Sequence, residues 1–184
     1  MADEMRHDIP VHKFRHDVDA PNIDRLRAES ITFSNAFCQT PTCCPSRGSV
    51  FTGKYPQQLG LYNHSCLLSD SEKTMGHHFS EHGYDAVAFG KTHHMNPGFR
   101  SITYDVATSM GSKNHGYNVT DSDAVGVFEG PVEEFCDFAA VRQFTDYLET
   151  GPDKFLAYIG IYSPHPPLYP PKKYLEMYDW RDIS

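Results

Sequence analysis

The stretch Thr42-Cys43-Cys44-Pro45-Ser46-Arg47-Gly48-Ser49-Val50-Phe51-Thr52-Gly53 brings a thiol, a proline, an arginine and a closing glycine into one short segment. Proline has no backbone N–H to lose and a φ suited to a first helical turn, so Pro45 predicts a helix that begins beside Cys43. Gly53 tolerates a left-handed conformation and predicts the end of that helix. The amides at a helix start attract anions, and Arg47 adds a permanent charge with a planar fork of donors. The stretch therefore predicts a reactive side chain beside an anion site.

A second polar segment follows a predicted strand. Residues 84–89 are mostly apolar and run directly into Gly90-Lys91-Thr92-His93, which favours a buried strand that ends at charged residues. Lys91 and His93 are two positions apart, so in an extended segment they point the same way. Ligands of open α/β sheets bind at the carboxyl ends of the strands. We therefore expect this ammonium and this imidazole to lie side by side at a ligand site.

A third segment repeats this arrangement. Residues 155–161 form a continuous apolar run, as in a strand that is covered on both faces. The run leads into Ser163-Pro164-His165-Pro166-Pro167, and prolines on both sides hold His165 in a stiff, extended loop. A histidine in a proline-rich turn is common, but its place after a buried strand predicts a position at the same sheet edge.

The chain opens on the acidic pair Asp3-Glu4. Carboxylate oxygens are the ligands that calcium and magnesium prefer, so the pair is a candidate metal site. A solvated acidic segment is the alternative interpretation, and it applies most to Glu4.

Composition excludes several classes of protein. The 184 residues carry a net charge of −8, which argues against a general nucleic-acid binder, and no apolar run approaches the ~20 residues of a membrane span. A hydrophobic fraction of 39% and an aromatic fraction of 13% fit a globular protein. The five cysteines are too few and too irregularly spaced for a disulfide scaffold or a structural zinc site.

The remaining periodic segments alternate between helix and strand. Alternating apolar residues predict a strand over residues 31–37, and residues 72–82 predict a helix with Met75 and Phe79 on one face. Residues 131–150 predict the longest helix. Its expected core stripe consists of Phe135, Phe138, Val141, Phe144 and Leu148.

Three motifs in a fixed order carry a family resemblance. Cys43-x-Pro45-Ser46-Arg47 with Thr52-Gly53, then Gly83-Tyr84 with Gly90-Lys91-x-His93, then Pro164-His165-x-Pro167 resemble the signatures of the formylglycine-dependent, arylsulfatase-like sulfatases. The resemblance implies an α/β fold of the alkaline-phosphatase-like type, a sandwich with a central, mostly parallel sheet flanked by helices. Residues 1–184 would be the N-terminal part of a single catalytic domain, and we expect its first strand and its C-terminal portion to lie outside this sequence.

The resemblance also implies a chemistry for these residues. Cys43 would be oxidised to formylglycine, whose hydrated form, a gem-diol, attacks a sulfate ester to give an alcohol and inorganic sulfate. Lys91 would contact the sulfate, and Arg47 with the metal ion would neutralise the developing charge. His93 would assist at the nucleophile, and His165 would contact the sulfate and the leaving-group side. The metal ligands would be Asp3, Glu4 and the converted Cys43, with calcium as the ion and magnesium as the alternative. Glu4 departs from the more common aspartate of this position.

The implied partners are a small-molecule or carbohydrate sulfate ester and a maturation enzyme, either formylglycine-generating or anaerobic sulfatase-maturing. Neither nucleic acid nor a membrane segment is expected. A formylglycine-dependent phosphonate monoester or phosphodiester hydrolase shares the nucleophile motif and stays an alternative. So does a non-catalytic pseudo-enzyme or a truncated fragment with an incomplete metal site. Oligomeric state stays open, as do cytoplasmic, periplasmic and secreted locations.

Overall fold

The computed structural model describes residues 1–5, 18–63, 66–92, 100–101 and 125–179. Its helices are α1 (Pro21–Ala28), α2 (Cys43–Thr52), α3 (Pro56–Leu59), α4 (Met75–Glu81), α5 (Cys136–Glu149) and α6 (Lys172–Leu175). Its strands are β1 (Asp85–Gly90), β2 (Arg100–Ser101) and β3 (Phe155–Gly160), and a 3₁₀ turn (Val132–Glu134) precedes α5. Within the described ranges, every helix is too short or too polar to cross a bilayer.

The strands form one parallel sheet in the order β2-β1-β3. β1 and β3 pair along their whole length, from Asp85 opposite Phe155 to Gly90 opposite Gly160. The strands predicted over residues 84–89 and 155–161 are therefore confirmed. β1 is buried almost throughout, whereas β3 is only partly covered in the described part of the chain. Two parallel carboxyl ends thus meet at one sheet edge.

Helices cover both faces of this sheet. On one face, Phe51 of α2 packs against Ala86 and Ala88, and its ring lies edge-on to Tyr158 with 5.0 Å between centroids. On the other face, Tyr147 of α5 packs against Val87 and Phe89. Because alternate residues of a strand point to opposite faces, the continuous apolar run of β1 supplies both layers.

The predicted helix after Thr42 is confirmed, with a shifted start. α2 begins at Cys43, two residues before Pro45, and Ser46 N–H donates to the Thr42 carbonyl at 3.0 Å. Gly53 has φ of 71° and ends the helix as predicted, with its N–H donating to the Ser49 carbonyl at 2.8 Å. Cys43 therefore lies in the first helical turn.

The strand predicted over residues 31–37 is wrong. These residues form no strand in the described structure, and Ile31 and Phe37 are 83% and 90% exposed. An alternating pattern yields a strand only where a neighbouring strand supplies ladder hydrogen bonds and a core covers one face. The described residues provide neither at this segment.

The helix predicted over residues 131–150 is also partly wrong. The chain is extended at Phe135, so α5 begins at Cys136, and Phe138, Val141 and Leu148 of the expected stripe are exposed. Phe135 and Phe144 of the stripe are confirmed, since Phe135 is buried and Phe144 packs with Tyr147 against the sheet. The helix also buries Ala140. A small residue at 140 suits the close approach of α5 to Gly90, where a Cβ would lie 3.3 Å from that of Ala140. Apolar periodicity thus identified the helix and only part of the face that packs.

The helix predicted over residues 72–82 starts later, at Met75. Thr74 is its N-cap, and the His77 side chain reaches back as in a capping box, where its Nδ1 accepts the Thr74 backbone N–H at 3.1 Å. Gly83 follows with φ of 81°, which agrees with its predicted role as the stop.

Glycines at the ends of β1 and β3 allow the two backbones to approach closely. A Cβ on Gly160 would lie 2.0 Å from the carbonyl oxygen of Lys91, and one on Gly90 would lie 2.2 Å from that of Gly160. The approach permits the Lys91 N–H to donate to the Gly160 carbonyl at 2.9 Å. These contacts fix the separation of the segments that follow each strand.

We predict that Gly160→Ala lowers the free energy of unfolding by about 1–3 kcal/mol, because the new methyl group meets backbone rather than a movable side chain. Gly151→Ala is the control. Gly151 has φ of 68° but open space around it, so its substitution carries only backbone strain of roughly 1 kcal/mol. Equilibrium urea denaturation measures both, and an equal loss in the two variants would contradict the steric argument.

Candidate active site

Four separate segments meet at the carboxyl edge of the sheet. Lys91 follows β1, His165 follows β3, and Cys43 opens α2. The start of the chain runs parallel to the end of β3, because Ala2 pairs with Ile161 and the Asp3 N–H donates to the Ile161 carbonyl at 3.0 Å. This pairing carries Asp3 to the same edge.

The centre of the site is a buried charge cluster. Lys91 Nζ donates to Asp3 Oδ2, and Arg47 Nη2 lies 3.5 Å from Asp3 Oδ1. Arg47 and Lys91 are 1% and 0% exposed, and Asp3 is buried as well. Two cations therefore face one carboxylate, which leaves the cluster with one net positive charge away from bulk water. Buried charge is tolerated only when it is paired, so these three residues depend on one another.

Arg47 also joins α2 to both strands. Its Nη1 donates to the carbonyl oxygen of Lys91 at 2.7 Å and to the hydroxyl of Tyr158 in β3. Its Nε has no hydrogen-bond partner among the described residues although the atom is buried. A buried donor left in this state is expected to receive an acceptor from a ligand or from another part of the protein.

The charge environment shifts the pKa of Asp3. Burial by itself raises the pKa of the Asp3 carboxyl, but the hydrogen bond and charge of Lys91, together with Arg47 and His165, outweigh it and lower the pKa from its usual value. Asp3 is therefore ionised at neutral pH.

Cys43 lies within this cluster. Its Sγ, a carboxylate oxygen of Asp3 and a ring nitrogen of His165 all lie within 4.8 Å of one another. Burial, helped by the Asp3 carboxylate, raises the pKa of the Cys43 thiol above its usual value, although Lys91 and Arg47 act in the opposite direction. An unmodified Cys43 is consequently a poor thiolate nucleophile.

The ring of His165 is oriented by the loop that carries it. Its Nδ1 lies 2.5 Å from the carbonyl oxygen of Pro166, which can only accept, so Nδ1 donates. Nε2 then faces the site and lies 3.4 Å from Glu4 Oε1. Glu4 has φ of 55°, a region that non-glycine residues rarely adopt, and its side chain is half-exposed at the rim.

Comparison with known proteins identifies the family, since the family model described as Sulfatase matches residues 1–182. The chain belongs to the sulfatase family. This sulfatase chain is 32% identical over 176 residues to an ulvan-active sulfatase of Formosa agariphila, and 27% identical over 192 residues to the iduronate 2-sulfatase of Mus musculus. The alignments cover 88% and 91% of the chain, respectively, but 34% of each relative. The chain thus spans about a third of the length of these curated relatives.

A solved structure supports the fold. The phosphonate monoester hydrolase of Agrobacterium radiobacter superposes with a TM-score of 0.76 at 21% identity, covering 97% of the sulfatase chain and 42% of the hydrolase. The alkaline-phosphatase-like α/β fold with a parallel sheet flanked by helices is therefore confirmed.

The structure brings most of the predicted site residues of this sulfatase chain together. Asp3, Cys43, Arg47 and Lys91 form the core of the cluster and His165 adjoins it. Glu4 contacts His165 at the rim instead of joining Asp3 at the centre. His93 lies outside the described residues, so its expected place beside Lys91 stays a prediction.

The donor set fits part of a calcium site. Asp3 supplies a buried carboxylate beside position 43, and oxidation of Cys43 would replace the sulfur with oxygen, the donor that calcium prefers. Calcium takes about six to eight oxygen ligands, more than these two residues can provide. Glu4 would join the set only if its carboxylate left His165.

Sequence reasoning missed two aromatic residues of the site. The Tyr158 hydroxyl accepts a hydrogen bond from Arg47, and burial raises the pKa of that hydroxyl above its usual value. Tyr162 places its ring 4.8 Å from Lys91 Nζ and 4.9 Å from the His165 ring. A tyrosine at position 158, within an otherwise apolar strand, was the one available signal, because a buried hydroxyl needs a polar partner.

We predict that Asp3→Asn destabilises the protein by about 3–5 kcal/mol, because Lys91 and Arg47 lose their buried counter-charge. Glu81→Gln is the control, since its ion pair with Lys73 lies at the surface, where such pairs contribute little to stability. Urea denaturation at pH 7 measures both variants.

The difference in free energy of unfolding between the wild-type protein and Asp3→Asn should depend on pH. Because folding lowers the pKa of Asp3, its contribution is complete above the usual carboxyl pKa of about 4 and is lost as pH falls through the lower, folded-state value. A difference that grows on acidification would contradict the assigned ion pair.

Proposed function

We propose that this protein hydrolyses a sulfate ester to an alcohol and inorganic sulfate, with formylglycine derived from Cys43 as the nucleophile. The observation that carries the proposal is the clustering of Cys43 with Asp3, His165 and two buried cations in a member of the sulfatase family. Residues 1–184 would form the N-terminal part of one catalytic domain. The family match over residues 1–182 and the roughly one-third coverage of the relatives support this assignment.

The charge of the cluster suits an anionic ester. Lys91 and Arg47 outnumber Asp3 by one charge, and their burial strengthens the field because little water screens it. Negative charge that develops on the sulfate oxygens in the transition state would be stabilised by these fixed cations. Arg47 acts through this field and through the positions of Asp3 and Lys91, since its side chain is buried.

Conversion of position 43 would change the available nucleophile. The hydrated aldehyde supplies a hydroxyl that attacks sulfur and can later re-form the aldehyde as sulfate leaves, an exit that serine lacks. The raised pKa of the thiol supports an oxygen nucleophile over a thiolate one. A formylglycine-generating or an anaerobic sulfatase-maturing enzyme would carry out the oxidation.

His165 is proposed as the proton donor to the departing alcohol. Since Nδ1 donates to Pro166, Nε2 is the ring atom available to the leaving group. His93 is proposed to accept the proton when the aldehyde re-forms. Asp3 and position 43, with Glu4 as a further candidate, would hold calcium, whose positive charge would offset the negative charge that develops on the sulfate.

The substrate is proposed to be a small-molecule or carbohydrate sulfate ester. Two relatives are named for ulvan and for the 2-sulfate of iduronate, which favours a carbohydrate. A phosphonate monoester or phosphodiester is the second candidate, because the phosphonate monoester hydrolase superposes over 97% of the chain. A non-catalytic pseudo-enzyme is the third alternative.

Peptide mass spectrometry of the full-length protein across residues 37–54 tests the nucleophile. We expect a mass loss at Cys43 that corresponds to thiol-to-aldehyde conversion and that a hydrazide traps. The Cys43→Ala variant serves as the control for the modified peptide. A plain cysteine in a host that possesses the maturation machinery would contradict the proposal and favour a pseudo-enzyme.

Paired kinetics then distinguish the reactions. We expect the converted protein to hydrolyse 4-nitrophenyl sulfate, and we expect Cys43→Ala to lower kcat/KM on the order of 10³-fold or more. Cys38→Ser is the matched control, because this thiol is exposed and lies outside the cluster. Faster turnover of a 4-nitrophenyl phosphonate ester would assign the protein to the second candidate function.

A further inference from the structure

Asp137 joins helix α5 to the loop that carries His165. It lies in the first turn of α5, and its two carboxylate oxygens accept hydrogen bonds from consecutive backbone amides. Tyr162 N–H donates to Oδ1 at 2.6 Å, and Ser163 N–H donates to Oδ2 at 2.9 Å. Bonds from a charged acceptor are roughly twice as strong as neutral ones, so this contact is a firm clamp on the loop.

The clamp is attached to a fixed part of the fold. α5 packs through Tyr147 against Val87 and Phe89, so the position of Asp137 is set relative to β1. The positive end of the α5 dipole also stabilises the carboxylate. An acidic residue in a first helical turn often only complements the helix dipole. Asp137 in addition accepts hydrogen bonds from amides 25 and 26 positions away.

The clamped loop holds residues of the site in turn. The Tyr162 carbonyl accepts a hydrogen bond from the His165 backbone N–H at 3.1 Å. The Tyr162 hydroxyl donates to the Pro166 carbonyl at 2.5 Å. Its ring contacts both Lys91 and the His165 imidazole. A shift of the Tyr162 backbone would therefore move His165 relative to Asp3 and Cys43.

We propose that Asp137 is a positioning residue for His165: its carboxylate clamps the Tyr162 and Ser163 amides and thereby aims the imidazole at the leaving group. This inference rests on the proposed function for the role of His165. It assigns Asp137 no contact with the substrate.

The Asp137→Asn variant tests the clamp, because the amide NH₂ cannot accept and one of the two bonds is lost. We expect kcat toward 4-nitrophenyl sulfate to fall on the order of 10- to 100-fold, since misplacing a catalytic group by about 1 Å has effects of this size, with a smaller change in KM. Asp146→Asn removes the same charge from the exposed face of the same helix and should leave kcat unchanged. Asp137→Glu retains both acceptors and should recover part of the loss.

A double-mutant cycle separates positioning from general stability. In a His165→Ala background, Asp137→Asn should change kcat by less than about twofold, because the group that it positions is absent. An equal loss in both backgrounds, or an unchanged kcat in the single variant, would overturn the proposal. Urea denaturation of each variant shows whether lost activity reflects unfolding.

The Asp137 clamp can be tested even if the proposed function is wrong. If the converted wild-type protein hydrolyses neither the sulfate nor the phosphonate ester, the proposed reaction is wrong. The clamp is then measured directly by the ¹H–¹³C NMR signal of the His165 ring, assigned with His165→Ala. Asp137→Asn should shift or broaden that signal and Asp146→Asn should not; an unchanged signal in Asp137→Asn would overturn the clamp.

Discussion

The buried ion pair between Asp3 and Lys91, with Arg47 beside it, is the interaction on which the site depends. Each of these charges would be strongly unfavourable in the interior without the others. The three residues belong to the start of the chain, to α2 and to the segment after β1, so the full cluster forms only when all three segments are docked. The charge proposed to bind an anionic ester is thus also part of the contact that holds these segments together.

The docking of α2 uses backbone as well as side chains. Arg47 donates to the carbonyl of Lys91, and the Lys91 N–H donates to the Gly160 carbonyl. The backbone at Lys91 is therefore hydrogen-bonded to α2 through its carbonyl and to β3 through its N–H, and neither bond involves the Lys91 side chain. Glycine at 160 is needed because a Cβ there would strike the Lys91 carbonyl. The close backbone approach follows from the register between β1 and β3, whereas the charge cluster also requires the pairing of Ala2 with Ile161 and the docking of α2.

Local sequence patterns predicted those elements that depend on neighbouring residues in the chain. The end of α2 at Gly53 and the strands β1 and β3 followed from glycine signals and apolar runs. The packing face of α5 followed only in part, at Phe144, because the burial of Ala140 and Tyr147 depends on the strands opposite and not on the period of the helix. Asp137 and Tyr158 were missed for the same reason: their partners lie 25 or more positions away, and no spacing rule connects them.

The electrostatics of position 43 disfavour a thiolate. A site that uses cysteine directly lowers the thiol pKa with nearby cations and solvent access. Here two cations are present, yet burial and Asp3 outweigh them, and the pKa of Cys43 rises. Lys91 and Arg47 are engaged with Asp3, so much of their charge is already compensated at the sulfur. The same environment would oppose a thiolate while still attracting a sulfate monoanion. The hydroxyl proposed for position 43 would avoid that conflict, because it would need to lose its proton only as the bond to sulfur forms.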